Sequence, residues 1–181
     1  KILTVRDLPD DIRLTESQTV QVEALRTGKP YVDKDAIREF LDGLGYPRCY
    51  LDFETFGTAV PFFDNVRPWQ QVPFQFSLHV QDTPGSKARH SAYLSEGPAD
   101  PRPEILRRLK DLLGSRGSIV GYNVSFEKGR LSEMCEAFPE YKSWWKKTEK
   151  RLVDLYAPFR AFSYYHPEQR GSASIKAVLP A

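Results

Sequence analysis

The chain has 181 residues, of which 40% are hydrophobic and 28% charged, the balance of an ordinary globular domain. Its 26 Lys+Arg against 24 Asp+Glu leave a net charge of +2, too little to imply nucleic acid without a local basic cluster. Two cysteines, Cys49 and Cys135, exclude a disulfide scaffold and a Cys-rich zinc site and fit a reduced, cytoplasmic setting. No apolar run approaches the roughly 18 residues of a membrane helix, and no signal peptide is visible, so no membrane association is expected. The sequence opens on Lys1 and stops at Ala181 just after a helical pattern begins, which reads as a piece of a longer protein.

Thr15-Glu16-Ser17-Gln18 is a capping box, and it predicts a helix from about 16 to 27 that stops at Gly28. Asp33 caps a second helix, striped by Ile37, Phe40, Leu41 and Leu44. These two helices make an expected N-terminal helical appendage, residues 1–46, ahead of a larger domain, 47–181. A strand over 49–54 leads into a long aromatic loop, 55–72, that contains Arg67 and Trp69. Alternation from Phe74 to Val80 predicts a second strand, paired by a turn at Asp82-Thr83-Pro84-Gly85 with a third at 90–94. Ile105, Leu106, Leu109, Leu112 and Leu113 stripe a helix, Ser118-Ile119-Val120 is a short buried strand, and a further helix runs from Ser125 to Phe138. Leu152–Tyr156 is a short apolar stretch, Tyr164-Tyr165-His166-Pro167 reads as loop, and Ser174 opens a last helix. Hairpins followed by a helix-crossed strand predict a mixed α/β sheet with helices packed on it.

Two carboxylates interrupt the apolar run Tyr50-Leu51-Asp52-Phe53-Glu54-Thr55-Phe56. On a strand Asp52 and Glu54 share one face with their Cα atoms about 7 Å apart, while Cys49, Leu51 and Phe53 take the core face. Such a pair is costly unless a cation or hydrogen-bond donors compensate; the alternative is two plain surface acids. Glu127, in Asn123-Val124-Ser125-Phe126-Glu127, lies four residues before Leu131 and seven before Met134, on the buried stripe of its helix. It stands just past a strand end, where α/β sheets build sites; the alternative is that it only complements the helix dipole. Three carboxylates from two segments can converge on Mg²⁺ or Mn²⁺. Two such ions about 3.5–4 Å apart stabilise the attacking and leaving oxygens of phosphodiester hydrolysis. Asp52 is the candidate bridging ligand, and Glu54 would hold one ion.

Asp52-x-Glu54 resembles the first motif of DEDD-type 3′–5′ exonucleases, and Gly121-Tyr122-Asn123-Val124-Ser125-Phe126-Glu127 resembles their second, with Glu where Asp is usual. Gly171-Ser172-Ala173-Ser174-Ile175-Lys176 resembles the helix start before their third motif, whose Asp would lie beyond Ala181. The resemblance implies a ribonuclease H-like fold, a two-metal exonuclease activity on DNA or RNA, and Asp52, Glu54 and Glu127 as catalytic metal ligands. Asp154 is a weak substitute for the fourth acid; the other reading is a structural Asp satisfied by backbone donors. Leu51–Phe56, Pro73–Ser77, Tyr122-Asn123 with Phe126-Glu127-Lys128, and Tyr164–Pro167 are also similar to an uncharacterised bacterial domain family. In that family the domain often follows a RecB-like nuclease region, which implies such a region in the same parent chain.

Lys142, Lys146, Lys147, Lys150 and Arg151 cluster with Tyr141, Trp144 and Trp145, a pattern suited to single-stranded nucleic acid. The alternative is a solvated helix face with a Trp in the core. Arg67, Trp69, Asn123, Lys128 and Arg130 are further candidate nucleic-acid contacts. His166 is a candidate general base or a plain loop histidine, and His79 and His90 lack metal-ligand spacing with cysteine. A PD-(D/E)xK nuclease would need Lys at position 56, which is Phe56. The rival function is a catalytically inactive exonuclease-like module that binds nucleic acid or protein.

Overall fold

The computed structural model of the chain describes residues 4–9 and 11–181. Its helices and strands, in chain order, are α1 (Glu16–Thr27), β1 (Tyr31–Val32), α2 (Lys34–Asp42), β2 (Arg48–Phe56), β3 (Val72–Gln81), β4 (Arg89–Leu94), α3 (Arg102–Leu113), β5 (Ser118–Gly121), α4 (Ser125–Ala137), α5 (Lys142–Thr148), β6 (Leu152–Asp154), α6 (Ala157–Arg160), β7 (Tyr164–Tyr165) and α7 (Ile175–Val178). They divide into two compact units. One joins the described residues up to Gly43 with Leu155–Ala181; the other is Leu44–Asp154.

In the first unit the predicted helix starts hold. The Thr15 hydroxyl accepts from the Gln18 N–H at 3.3 Å, and the Gln18 side chain accepts from the Thr15 N–H at 2.9 Å. Gly28, at φ 67, ends α1 in the left-handed conformation. The Asp33 carboxylate caps α2 by accepting from the Ala36 N–H at 3.0 Å. The sequence groups 155–181 with the acid-bearing domain and presents Tyr164-Tyr165 as loop. In the structure Tyr165 pairs with Tyr31 and Tyr164 with Val32, a two-stranded antiparallel sheet that ties the C-terminal segment to the N-terminal helices. Two-residue strands have too little alternation to be seen in sequence.

The second unit is a five-stranded mixed sheet in the order β4-β3-β2-β5-β6. β2 is antiparallel to β3 and parallel to β5, and β5 is parallel to β6. One sheet face presents Cys49, Leu51, Phe53, Phe76, Leu78, Val80 and Ile119 to a single core. Helix α3 adds Ile105, Leu106, Leu109 and Leu113, α4 adds Leu131, Met134 and Cys135, and α5 adds Trp145. Phe74, predicted to share the core face, is only half-buried. The register shifts from Glu54 opposite Gln75 to Thr55 opposite Pro73, so Phe74 is the extra residue of a bulge.

Of the basic segment, Trp145 is buried while Lys142, Lys146, Lys147 and Lys150 are exposed. Arg151 plays a structural part. Its guanidinium donates to the carbonyls of Leu113 and Gly114 at 2.9 and 2.8 Å, of Gly117 at 2.8 Å, and of Arg116. It therefore closes the turn between α3 and β5. Replacing Arg151 by Met should lower stability by about 2–3 kcal/mol, since charged hydrogen bonds are lost and carbonyls are left without a donor. Urea unfolding checks this; a change within about 0.5 kcal/mol would contradict the clamp.

Candidate acid site

β2 alternates as the sequence predicts, with Cys49, Leu51 and Phe53 buried and Asp52 and Glu54 exposed on the opposite face. Across the pairing, Asp52 lies opposite Ser77 and Glu54 opposite Gln75. The last β5 residue paired with β2 is Val120, opposite Tyr50, so β2 carries Asp52 past that pairing. There the chain turns into α4. Asn123 adopts φ 62, and its N–H donates to Asp154 Oδ1 at 2.8 Å, with the Val124 N–H at 3.3 Å. Asp154 is thus held by backbone donors, and it fixes the turn that starts α4.

Glu127 falls on the inward stripe of α4 with Leu131 and Met134, and only 4% of it is exposed. Its Oε2 has no hydrogen-bond partner among the described residues. Gly121 makes room for it: a Cβ there would stand 3.2 Å from Glu127 Oε2 and 3.1 Å from Val124 Cγ2. The sequence places Gly121 at the head of the motif that ends in Glu127, and the structure adds its steric role as the seat of that carboxylate.

Burial is the main cause that pushes the Glu127 carboxyl up to about 7, and the charges of Asp52 and Asp154 push the same way. The residue's own backbone N–H partly opposes them. A carboxyl near neutrality can take up a proton at Oε2 or accept a cation. Among the described residues no three His, Cys, Asp or Glu side chains are gathered tightly enough to hold a metal ion. The donor chemistry is nonetheless all oxygen, the set that suits Mg²⁺ or Mn²⁺, and the buried, unpartnered Oε2 is compatible with a cation.

The other candidate nucleic-acid contacts lie on the loop after β2, on α4 and on α5. Arg67, in the loop after β2, has an exposed side chain and pairs with Glu133 at 3.3 Å; Arg130 pairs with the same Glu133 at 3.1 Å and lies over the Phe126 ring at 5.0 Å. Lys128 approaches Glu149 at 3.9 Å, and Trp69, Lys146 and Lys147 are exposed. His79 and His90 stack across β3 and β4 with ring centroids 4.3 Å apart, and His90 Nε2 is 3.1 Å from Ser77 Oγ. His166 starts a short turn, where its Nδ1 accepts from the Glu168 N–H at 3.3 Å. No described helix is long and apolar enough to cross a membrane. Cys49 and Cys135 are buried free thiols.

The fold and site define a mixed α/β domain, with a five-stranded sheet and flanking helices, that carries exposed strand acids and one buried helix acid. The chain belongs to the family described as Domain of unknown function (DUF2779), whose model matches residues 49–174. It is 34% identical over 145 residues to the Uncharacterized protein UU173 of Ureaplasma parvum, covering 74% of this chain and 21% of that protein. It is 33% identical over 143 residues to the Uncharacterized protein MG366 homolog of Mycoplasma pneumoniae, covering 74% of this chain and 22% of that one. The chain thus spans about a fifth of the length of the curated relatives it matches. Among solved structures, the family B DNA polymerase from Pyrobaculum calidifontis aligns with 51% of this chain and 11% of its own, at 20% identity and a TM-score of 0.34, too slight a likeness to carry an argument.

Proposed function

We propose that this chain carries the acid site of a divalent-metal-dependent nuclease, a 3′–5′ exonuclease of the DEDD type with a ribonuclease H-like fold, acting on DNA or RNA. The carrying observation is Glu127: a buried carboxylate with an unpartnered Oε2, in the field of Asp52 and Asp154. Such a group is costly to ionise without a cation beside it. Asp52, Glu54 and Glu127 would hold Mg²⁺ or Mn²⁺. The ion, when bound, supplies Lewis-acid stabilisation of the oxygens that attack and leave phosphorus. Asp154 acts as a positioning residue through the Asn123–Val124 amides rather than as a first choice of ligand. Asn123, Lys128, Arg130, Arg67, Lys146 and Lys147 would meet substrate phosphates. Because the chain spans a fifth of its relatives, activity is assigned to the parent protein. A RecB-like nuclease region in that parent, a fourth acid beyond Ala181 and a cytoplasmic setting are parts of the same proposal.

The test compares the full-length parent with its Asp52→Ala variant on labelled single strands with Mg²⁺. The variant should lose at least about a hundredfold in rate, the effect of removing several kcal/mol of metal-borne stabilisation. Equal degradation by both would instead favour the rival, a non-catalytic exonuclease-like module.

A further inference from the structure

The loop after β2 is pinned, yet it presents bare aromatic surface. Thr55 Oγ1 donates to Gln71 Oε1 at 2.8 Å across its neck, and the Trp69 N–H donates to the Thr58 carbonyl at 2.8 Å. The Gln70 N–H donates to the Arg67 carbonyl, and Gln70 Oε1 accepts from the Arg67 N–H, both at 3.0 Å. Further out, Arg102, itself buried, donates to the Asp64 carbonyl at 2.6 Å. Despite these anchors Trp69 is 68% exposed and Phe62 72% exposed. Trp69 also adopts φ 61, a left-handed conformation that a bulky side chain reaches only at a cost. The other two tryptophans are buried or half-buried. A fold that needed only the turn would be better served by Gly at position 69.

We propose that Trp69 is a stacking platform for an unpaired nucleobase, which makes a single-stranded end the substrate of the neighbouring acid site. The choice of ligand rests on the nuclease reading; the platform itself rests on the loop. Gly57 abuts the Trp69 backbone: a Cβ at Gly57 would lie 3.2 Å from the Trp69 carbonyl. Gly57 directly follows β2 and is three residues past Glu54, at most about 10 Å of chain, so the backbone that carries Trp69 stands beside the end of the acid strand. The Arg67 side chain, two residues before Trp69, is exposed, and because Glu133 keeps Arg130 as a second partner, Arg67 can exchange its 3.3 Å contact for a phosphate. A flat π-face beside an exchangeable cation fits base and phosphate together, and it fits every base, so little sequence preference is expected.

The test is binding without turnover. The 181-residue chain in EDTA is titrated with a 12-nucleotide oligo(dT), the same strand with abasic residues in place of the bases, and a blunt 12-base-pair duplex, reading tryptophan fluorescence and anisotropy. The intact strand should quench the fluorescence saturably and bind about tenfold or more tighter than the abasic strand or the duplex. Trp69→Ala should weaken oligo(dT) binding about ten- to a hundredfold. Trp69→Phe should keep most of the affinity and lose the quench. Trp69→Gly should bind as poorly as Trp69→Ala yet melt no lower than the wild type, because it relieves the backbone; this separates lost stacking from a damaged loop. The proposal falls if the intact and abasic strands bind alike, if Trp69→Ala binds within twofold of the wild type, or if the wild type binds no strand. If Asp52→Ala leaves the parent's activity intact while Trp69→Ala loses binding, the nuclease reading falls and the platform stands.

Discussion

Between pH 4.5 and 7 the wild type should lose about 3 kcal/mol of stability relative to Glu127→Gln. The folded carboxyl sits at about 7 against an ordinary value of 4.5. Below 4.5 the group is protonated in both folded and unfolded chains, and its burial carries no ionic penalty. As pH rises the unfolded chain releases the proton first, so the folded state is progressively disfavoured until the pH passes 7. Gln keeps the shape and cannot ionise, so its own cost of burial is independent of pH. The measurement is urea unfolding of both proteins from about pH 4 to 8, read as the difference between them. A difference flat in pH would mean that Glu127 is not buried in the folded chain. Adding Mn²⁺ at about pH 7.5 should then restore the wild type toward the variant, since a cation beside the carboxylate offsets its desolvation. The variant should gain little. Stabilisation of both alike would place the ion elsewhere.

Gly117→Ala is expected to cost more than about 4 kcal/mol and to lower the melting temperature by at least about 10 °C. Gly117 adopts φ 78, and a Cβ there would clash with the Pro47 carbonyl oxygen and stand 2.7 Å from the Pro47 nitrogen. Both are backbone atoms, and neighbouring bonds prevent them from moving aside. The Ser118 N–H donates to the Gly45 carbonyl at 3.0 Å, the Gly45 N–H donates to Ser118 Oγ at 3.0 Å, and Arg151 holds the Gly117 carbonyl. The fitting control is Gly85→Ala, at φ 73 with nothing within 4 Å of the added Cβ. It should show only the cost of a left-handed residue, about 1–2 kcal/mol. Equal losses in the two variants would contradict the close approach of the 45–47 and 117–118 segments.

Much of the site's placement was legible because it follows local periodicity. Alternation of two put Cys49, Leu51 and Phe53 inward and Asp52 and Glu54 outward, and the helical period put Glu127 on the stripe of Leu131 and Met134. For Asp154 the sequence offered two readings, and the amides of Asn123 and Val124 favour the structural one. For the basic segment, burial of Trp145 answers which aromatic enters the core, while Lys146 and Lys147 stay on the surface. Arg151, grouped with those lysines by composition, turns instead to the carbonyls of the α3–β5 turn.

By itself, then, the sequence determined which residues face in and which face out within each long element, and where α1 and α2 begin, since caps and periods are properties of neighbouring residues. Only the tertiary structure decided the strand order β4-β3-β2-β5-β6, the pairing of Tyr31-Val32 with Tyr164-Tyr165, the seat that Gly121 makes for Glu127, and the left-handed turn that exposes Trp69. Each of these depends on chain segments that approach one another in space, or on a backbone conformation held by such an approach. No local pattern of residue types encodes them.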